Sequence, residues 1–119
     1  MPQFSANLSM LFPERPFLQR FAAAAQAGFS AVEFMFPYAF AIADLRDAIA
    51  HSKVRVVLHN LPPGDWDAGD RGIACHPNRT EEFRDSVAQA IAYASALQVP
   101  RLNCLAGCTP ADTQPVLVR

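Results

Sequence analysis

The chain has 119 residues, of which 51% are hydrophobic and 18% are charged, and its formal net charge is −1. This composition is typical of one globular domain and excludes a disordered chain. Lys53 is the single lysine and no basic cluster occurs, so neither nucleic acid nor a membrane is expected as a partner.

The sequence shows no pattern for export. Residues 1–3 lack the basic start of a signal peptide, and apolar runs such as 21–25 are far below the roughly 20 residues that span a bilayer. Cys75, Cys104 and Cys108 are an odd number, which argues against a disulfide framework, and their spacing does not match a zinc site. We therefore expect a cytoplasmic protein.

The first part of the chain alternates short apolar runs with helical patterns. Alternating apolar and polar residues predict a strand over 4–10. A helix is predicted over 16–27, with Pro16 suited to its first turn and Gly28 to the position after its end. The run 31–36 is hydrophobic apart from one carboxylate and predicts a second buried strand.

The middle of the chain adds another helix, a strand and a long loop. The apolar face of the helix is marked by Ile42, Leu45, Ala48 and Ile49. Residues 54–60 predict a buried strand that ends in the polar pair His59 and Asn60. The loop 61–78 that follows is too polar for core and too long for a simple connection, so it is interpreted as an active-site loop.

A third helix and a fourth strand complete the pattern. Asn78 and Glu81 have the spacing of a capping box and predict the start of this helix. Its apolar stripe is Phe83, Val87, Ala90, Ile91, Ala94 and Leu97. The fourth strand is predicted over 101–107.

This order of elements predicts an α/β fold with a parallel sheet. Two of the three spacings between strands are close to the roughly 30 residues of one unit in an eight-fold barrel. The alternative, a flavodoxin-like or Rossmann sheet, would need a glycine-rich phosphate cradle, and the turn after the first strand, 7–13, contains no glycine. We therefore predict a parallel (β/α) half-barrel, the first four strands and three helices of a TIM barrel.

Seven segments carry a further signal through their order and spacing. They are Phe4 to Phe12 (FSANLSMLF), Gly28-Phe29, Val32 to Tyr38 (VEFMFPY), Leu58 to Pro62 (LHNLP), Gly64-Asp65-Trp66, Arg71 to Cys75 (RGIAC) and Asn103 to Gly107 (NCLAG). Together they resemble the hydroxypyruvate isomerase family, through almost all of the chain up to about residue 110. The resemblance implies a xylose isomerase-like barrel that interconverts hydroxypyruvate and tartronate semialdehyde, or a related isomerase of 2-oxo-tetronates or sugars.

The resemblance also implies what this chain lacks. In such enzymes a divalent metal, Mg or Mn, and two catalytic glutamates act on the substrate, and they are held by the second half of the barrel. We therefore expect 1–119 to be the N-terminal half of one barrel domain, with no metal ligand, no catalytic residue and doubtful activity alone. Cys108 stands where relatives usually carry a lysine, which puts a contact with an anionic substrate there in doubt.

Polar residues at the strand ends are the candidate substrate contacts, because barrel active sites form at the carboxyl ends of strands. The candidates are Asn7, Glu33, His59 and Asn60, with Asn103 at the same edge. Each has an alternative: Glu33 as a paired carboxylate inside the barrel, His59 as a core histidine, and Asn60 as a brace for the turn before Pro62.

Two residues of the long loop are further candidates. Arg71 could bind the planar carboxylate of a small 2-oxo acid through two parallel hydrogen bonds, or it could pair with Asp67 or Asp70 and only pin the loop. Trp66 could cover the substrate and exclude water, or pack the loop down.

The rival interpretation comes from another class of protein. Four parallel strands leave unpaired sheet edges and an uncovered apolar face. In this interpretation the chain is a non-catalytic half-barrel that self-associates through these edges.

Overall fold

The computed structural model describes residues 2–109, so the last part of the predicted domain, 110–119, lies outside the described residues. Its strands are β1 (Ser5–Asn7), β2 (Ala31–Glu33), β3 (Arg55–Asn60) and β4 (Leu102–Asn103). Its helices are α1 (Phe17–Gln26), α2 (Ile42–Ser52) and α3 (Thr80–Leu97), with a 3-10 turn at Pro77–Arg79 before α3. Strands and helices alternate along the chain as predicted.

The four strands form one sheet in the order β1-β2-β3-β4, and every neighbouring pair is parallel. Consecutive parallel neighbours joined by helices are the arrangement of a (β/α) barrel, whereas a doubly wound sheet reverses its strand order. The predicted α/β half-barrel is thus confirmed.

The strands are shorter than the sequence pattern predicts. After Asn7, the backbone N–H groups of Met10 and Leu11 both donate to the Asn7 carbonyl, at 3.1 and 2.9 Å, so the chain turns where the prediction continued the strand to residue 10. The fourth strand also ends early, at Asn103 rather than at residue 107. The alternation of apolar and polar residues in the sequence therefore extends beyond the residues that pair in the sheet.

Backbone conformation accounts for the helix ends. Helix α1 begins at Phe17, so Pro16 is its N-cap residue and not part of the first turn as predicted. Gly28 follows the C-cap with φ 98°, which agrees with its predicted place after the helix. The Phe29 N–H closes this end by donating to the Ala24 carbonyl at 3.0 Å. Helix α2 ends at Ser52, and the C-cap residue that follows, Lys53, has a left-handed φ of 60°.

Helix α3 corrects two predictions. Asn78 lies inside the 3-10 turn, and the helix begins at Thr80 with no side-chain cap, so the predicted capping box is wrong. Ile91, assigned to the apolar stripe, is 52% exposed. The 3-10 turn shifts the helix start, and the buried side follows Ser86, Ala90, Ala94 and Leu97.

The core lies between the sheet and the three helices. Phe21, Leu8, Val32 and Leu45 are among its fully buried side chains. The Phe17 ring stacks on Phe40 at 5.1 Å and meets the rings of Phe21 and Phe34 edge-on. In the described part of the chain, no helix has the length and apolar character needed to cross a membrane.

Candidate active site

The parallel register brings the polar strand ends to one edge of the sheet. Asn7 is the register partner of Glu33, and Asn60 is the partner of Asn103. Between them, Glu33 pairs with Leu58 of β3. Four of the polar residues singled out in the sequence therefore share the carboxyl edge, where barrel enzymes bind substrate.

Asn7 and Glu33 lie on the face of the sheet away from the helices. The residues before them, Ala6 and Val32, are 1% and 0% exposed in the core, and successive side chains of a strand point to opposite faces. Asn7 Oδ1 accepts the Ser9 N–H at 3.0 Å and shapes the turn after β1. Within residues 2–109 the half-buried Glu33 forms no ion pair, so its carboxylate is available to a ligand.

A register shift reverses the facing of β3 just before its polar end. Val32 pairs with Val56 but Glu33 pairs with Leu58, so Val57 is an extra residue in β3. Such a bulge moves the following side chains to the opposite face. His59 therefore joins the helix-facing side with Val56, and Asn60 faces away from the helices.

His59 is buried beneath the edge rather than exposed at it. Its side chain is 0% exposed, and its ring stacks on Phe34 with the ring centroids 5.9 Å apart and the planes 6° from parallel. A direct substrate contact would require the imidazole to leave this stack. The position matches the core histidine that the sequence left open as the alternative.

The hydrogen bonds around His59 define its neutral form. Its Nδ1 lies 3.1 Å from the Asn60 carbonyl oxygen, which can only accept, so Nδ1 carries the proton. Nε2 is buried without a hydrogen-bond partner in the described part of the chain. Burial lowers the pKa of His59, and the Asn60 carbonyl opposes this shift. The imidazole therefore stays neutral and orients the backbone of Asn60.

Tyr38 is a residue that the sequence interpretation did not assign to the site. Its hydroxyl donates to the Asn60 carbonyl and lies 3.4 Å from His59 Nδ1. Its ring meets Tyr93 of α3 edge-on at 5.1 Å, and burial, with a smaller effect from Tyr93, raises the pKa of Tyr38 above its usual range. The sequence signal for Tyr38 was its position directly after Pro37, which ends the predicted second strand.

Asn60 is held from two sides at the edge. Its backbone carbonyl accepts from Tyr38, and its side-chain Oδ1 accepts from Asn103 Nδ2 at 3.1 Å. Asn60 is 8% exposed, whereas Asn103 is exposed. The Asn60 side chain thus both braces the neighbouring strand and presents amide chemistry at the edge.

The long loop places Trp66 and Arg71 against each other. The Arg71 guanidinium carbon lies 3.7 Å from the centroid of the Trp66 ring, and Arg71 Nη1 donates to the carbonyls of Trp66 and Asp70 at 3.0 and 2.7 Å. Trp66, 38% exposed, also meets Phe36 edge-on at 5.3 Å, just after β2. In the described residues, Arg71 pairs with neither Asp67 nor Asp70, so the ion-pair alternative for Arg71 is not the arrangement found.

The ion pair of the loop is instead made by Asp70 with Arg79. Arg79 Nη1 and Nη2 donate to the two Asp70 carboxylate oxygens at 3.0 and 2.7 Å, and Arg79 also binds Glu82. Hydrogen bonds from Arg79 and the Asp65 N–H lower the pKa of Asp70 to about 2. Asp70 therefore stays ionised at neutral pH and ties the loop to the start of α3.

The second half of the loop packs on the turn that follows β4. Gly72 has φ 94°, and a Cβ at this position would lie 2.1 Å from the Leu105 carbonyl oxygen. The Cys75 N–H donates to the Ala106 carbonyl at 2.8 Å. Only glycine allows this close approach, which fixes the loop along the carboxyl edge.

The described residues do not fit a metal centre. Among residues 2–109, no group of three or more His, Cys, Asp or Glu side chains is arranged to hold a metal ion. His51 is exposed and His76 is half-buried. Residues 2–109 therefore do not form a metal-binding cluster by themselves.

Comparison with known proteins decides the family. A family model described as the xylose isomerase-like TIM barrel matches residues 21–116, which is more than half of the chain. The chain belongs to this family. Among its relatives in the xylose isomerase-like TIM barrel family, hydroxypyruvate isomerase of Escherichia coli K12 is 61% identical over 111 residues, which cover 93% of this chain and 43% of that protein.

Two further relatives agree with this assignment. The 2-oxo-tetronate isomerase of Cupriavidus necator is 48% identical over 112 residues, which cover 94% of this chain and 43% of that protein. The crystal structure of an AP endonuclease, family 2, from Brucella melitensis superimposes with a TM-score of 0.91 at 48% identity, over 93% of this chain and 43% of that one. The chain thus spans less than half the length of the xylose isomerase-like proteins that it matches.

Proposed function

We propose that this chain supplies the substrate-binding edge and loop of a hydroxypyruvate isomerase, which interconverts hydroxypyruvate and tartronate semialdehyde. The identity of 61% to the Escherichia coli enzyme supports this substrate class. Because the chain spans 43% of that enzyme, the activity is proposed for a complete barrel that contains this chain. We propose a cytoplasmic location, which three free cysteines support.

The observation that carries the proposal is the arrangement of Arg71. Within residues 2–109, both of its hydrogen bonds come from Nη1 and go to backbone carbonyls, so no described residue occupies its Nε and Nη2 donors. A guanidinium edge matches the planar carboxylate of a 2-oxo acid. The contact with the face of the Trp66 ring, 3.7 Å from its centroid, holds the guanidinium in place before the ligand arrives.

The strand ends offer partners for the rest of the substrate. We propose that Glu33 accepts a hydrogen bond from the substrate hydroxyl, and that Asn7 and Asn60 donate to its oxygens. Trp66 covers this side of the site and limits the access of water. The family resemblance implies a divalent Mg or Mn ion, and residues 2–109 do not by themselves offer a set of ligands for it.

A chimera tests the proposal. In it, this chain replaces the aligned segment of the Escherichia coli hydroxypyruvate isomerase, and the conversion of hydroxypyruvate is followed. We expect an active enzyme in which Arg71→Ala lowers kcat/KM about 10- to 100-fold, since a hydrogen-bonded charge contributes about 1.5–3 kcal/mol. Arg84→Ala, which removes an exposed cation of α3, is the matched control.

Substrate choice gives the test its specificity. Dihydroxyacetone undergoes the same aldose–ketose exchange but has no carboxylate, so Arg71→Ala should leave any turnover of it unchanged. Comparing hydroxypyruvate with a 2-oxo-tetronate and with an aldose separates the hydroxypyruvate isomerase from the related 2-oxo-tetronate and sugar isomerases or epimerases. A folded chimera with no isomerase activity would refute the proposal.

A second candidate function, self-association, has its own support. Within residues 2–109, β1 and β4 are the edge strands of the sheet. Phe4, Met10 and Leu11 near β1 are 69%, 67% and 41% exposed, so large apolar side chains are accessible beside this edge strand. Gel filtration of the 119-residue chain tests this candidate: an inactive dimer supports it, and an inactive monomer contradicts it.

A further inference from the structure

We propose that Asp70 and Arg79 form a latch that positions Trp66 and Arg71 over the carboxyl edge of the sheet. Arg79 acts here as a positioning residue, since it binds the loop through Asp70 and lies at the junction of the 3-10 turn and α3. The consequence for catalysis rests on the proposed function, whereas the effect on the loop does not.

The geometry of Asp70 connects the latch to both ends of the loop segment. One of its carboxylate oxygens accepts the Asp65 N–H at 2.7 Å, and the Asp70 N–H donates back to the Asp65 carbonyl at 2.9 Å. The same carboxylate receives two parallel bonds from Arg79. Trp66 lies directly after Asp65 and Arg71 directly after Asp70, so a fixed carboxylate fixes the backbone that carries both.

Arg79 is itself held in a single orientation. Its Nε and Nη2 donate to the two carboxylate oxygens of Glu82, in the first turn of α3, at 2.8 and 2.7 Å. The guanidinium therefore bridges a helix-borne carboxylate and a loop-borne one, with side-chain exposures of 28% for Arg79 and 18% for Asp70. Two forked contacts specify geometry in a way that a single flexible ion pair does not.

Close packing behind Asp70 gives the latch one closed position. A Cβ on Gly64 would lie 2.4 Å from an Asp70 carboxylate oxygen and 2.7 Å from a methyl group of Ile73. The Asp70 side chain therefore lies against the backbone at the start of the loop. When the two bonds from Arg79 are lost, the Asp65 N–H is the remaining donor to the ionised carboxylate among the described residues, and the carboxylate gains more from water than from its apolar neighbour Ile73.

The single tryptophan of the sequence reports on the latch in the 119-residue chain itself. Acrylamide quenching of Trp66 fluorescence and hydrogen exchange of the segment 61–76 are compared in wild type, Asp70→Asn, Arg79→Gln and the double variant. We expect faster exchange and stronger quenching in both single variants, and no further increase in the double variant. Arg79→Lys keeps the charge but not the fork and should fall between them.

A matched control separates the latch from general effects on α3. Arg84→Gln removes an exposed ion pair of the same helix and should leave loop exchange near the wild-type rate. Glu82→Gln removes the carboxylate that orients Arg79 but keeps Asp70, so it should raise loop exchange less than Arg79→Gln does. Wild-type exchange in Asp70→Asn and Arg79→Gln would overturn the proposal. Loss of the far-UV circular dichroism signal in both would also overturn it, since the pair would then support the whole fold.

Activity separates the failure of the latch from that of the proposed function. In the chimera described above, a misplaced loop should lower kcat/KM for hydroxypyruvate by up to about 100-fold in Asp70→Asn, because small errors in position are costly. Faster loop exchange in Asp70→Asn and Arg79→Gln, together with an inactive wild-type chimera, would refute the proposed function and leave the latch standing. A mobile loop with unchanged kcat/KM would overturn the positioning role of the latch.

Discussion

The side-chain amide of Asn103 donates to Asn60 Oδ1 across 3.1 Å and joins the last residues of β3 and β4. Asn103→Ala leaves the Asn60 oxygen without this donor, at a position that is 8% exposed. We expect the free energy of unfolding to fall by about 1 kcal/mol, the usual net value of one such bond. Urea unfolding followed by circular dichroism measures the change.

An asparagine outside the sheet is the control for this substitution. Asn78 is exposed in the 3-10 turn before α3, so Asn78→Ala should change the unfolding free energy by less than about 0.5 kcal/mol. Equal losses in the two variants would contradict a specific contribution of the pair at the carboxyl edge.

The neutral form of His59 predicts a pH dependence of stability. Burial lowers the pKa of the folded-state imidazole below its ordinary value of 6.5. Below that pH the unfolded chain binds a proton that the folded chain does not, so stability is fully present above about pH 6.5 and is lost as the pH falls. We expect the free energy of unfolding of His59→Gln to change less between pH 7 and pH 5 than that of wild type.

The other histidines provide the comparison for the pH series. His51 is exposed near the end of α2, so His51→Gln should reproduce the wild-type pH dependence. If the His59→Gln curve ran parallel to the wild-type curve from pH 7 to pH 5, the buried neutral imidazole would not be the source of the effect.

The facing of His59 also shows where sequence reasoning stopped. Strict alternation from the buried Val56 would turn Asn60 toward the helices and His59 away from them. The extra residue at Val57 reverses this order, and nothing in a run of branched residues marks a bulge. The strand was therefore predictable from its composition, but the side on which each polar residue lies was not.

The strand ends were predictable from the sequence, whereas the contacts of the long loop were not. The shared edge of Asn7, Glu33 and Asn103 followed from parallel strands alone, because their carboxyl ends must meet. The partner of Asp70 did not follow, since Arg71 and Arg79 are both within reach of a flexible loop in the sequence. Tertiary packing against α3 selects Arg79, and that packing has no local signature.

A glycine pair measures how closely the loop packs on the turn after β4. Gly72 and Gly69 have similar positive φ values, 94° and 103°, but only a Cβ on Gly72 meets the backbone of Leu105. Gly69→Ala should cost about 1–2 kcal/mol for the backbone conformation alone, and Gly72→Ala a further 1–3 kcal/mol or so for the displaced backbone. Thermal and urea unfolding of the two variants give the difference. Equal losses would mean that the loop moves away from Leu105 at little cost.

The stability loss at the exposed Ile91 can be compared with the loss at a buried core residue, Phe21. Phe21 is 0% exposed and contacts the rings of Phe17 and Phe34, so Phe21→Ala should lower the free energy of unfolding by about 3–5 kcal/mol. Ile91→Ala, at a side chain that is 52% exposed, should stay within about 0.5 kcal/mol of wild type. Phe21→Leu keeps most of the buried volume and gives a smaller loss if Phe21→Ala fails to fold. A loss at Ile91 as large as that of Phe21→Leu would indicate that this face of α3 is covered in solution, and gel filtration of the same samples would show whether a second copy covers it.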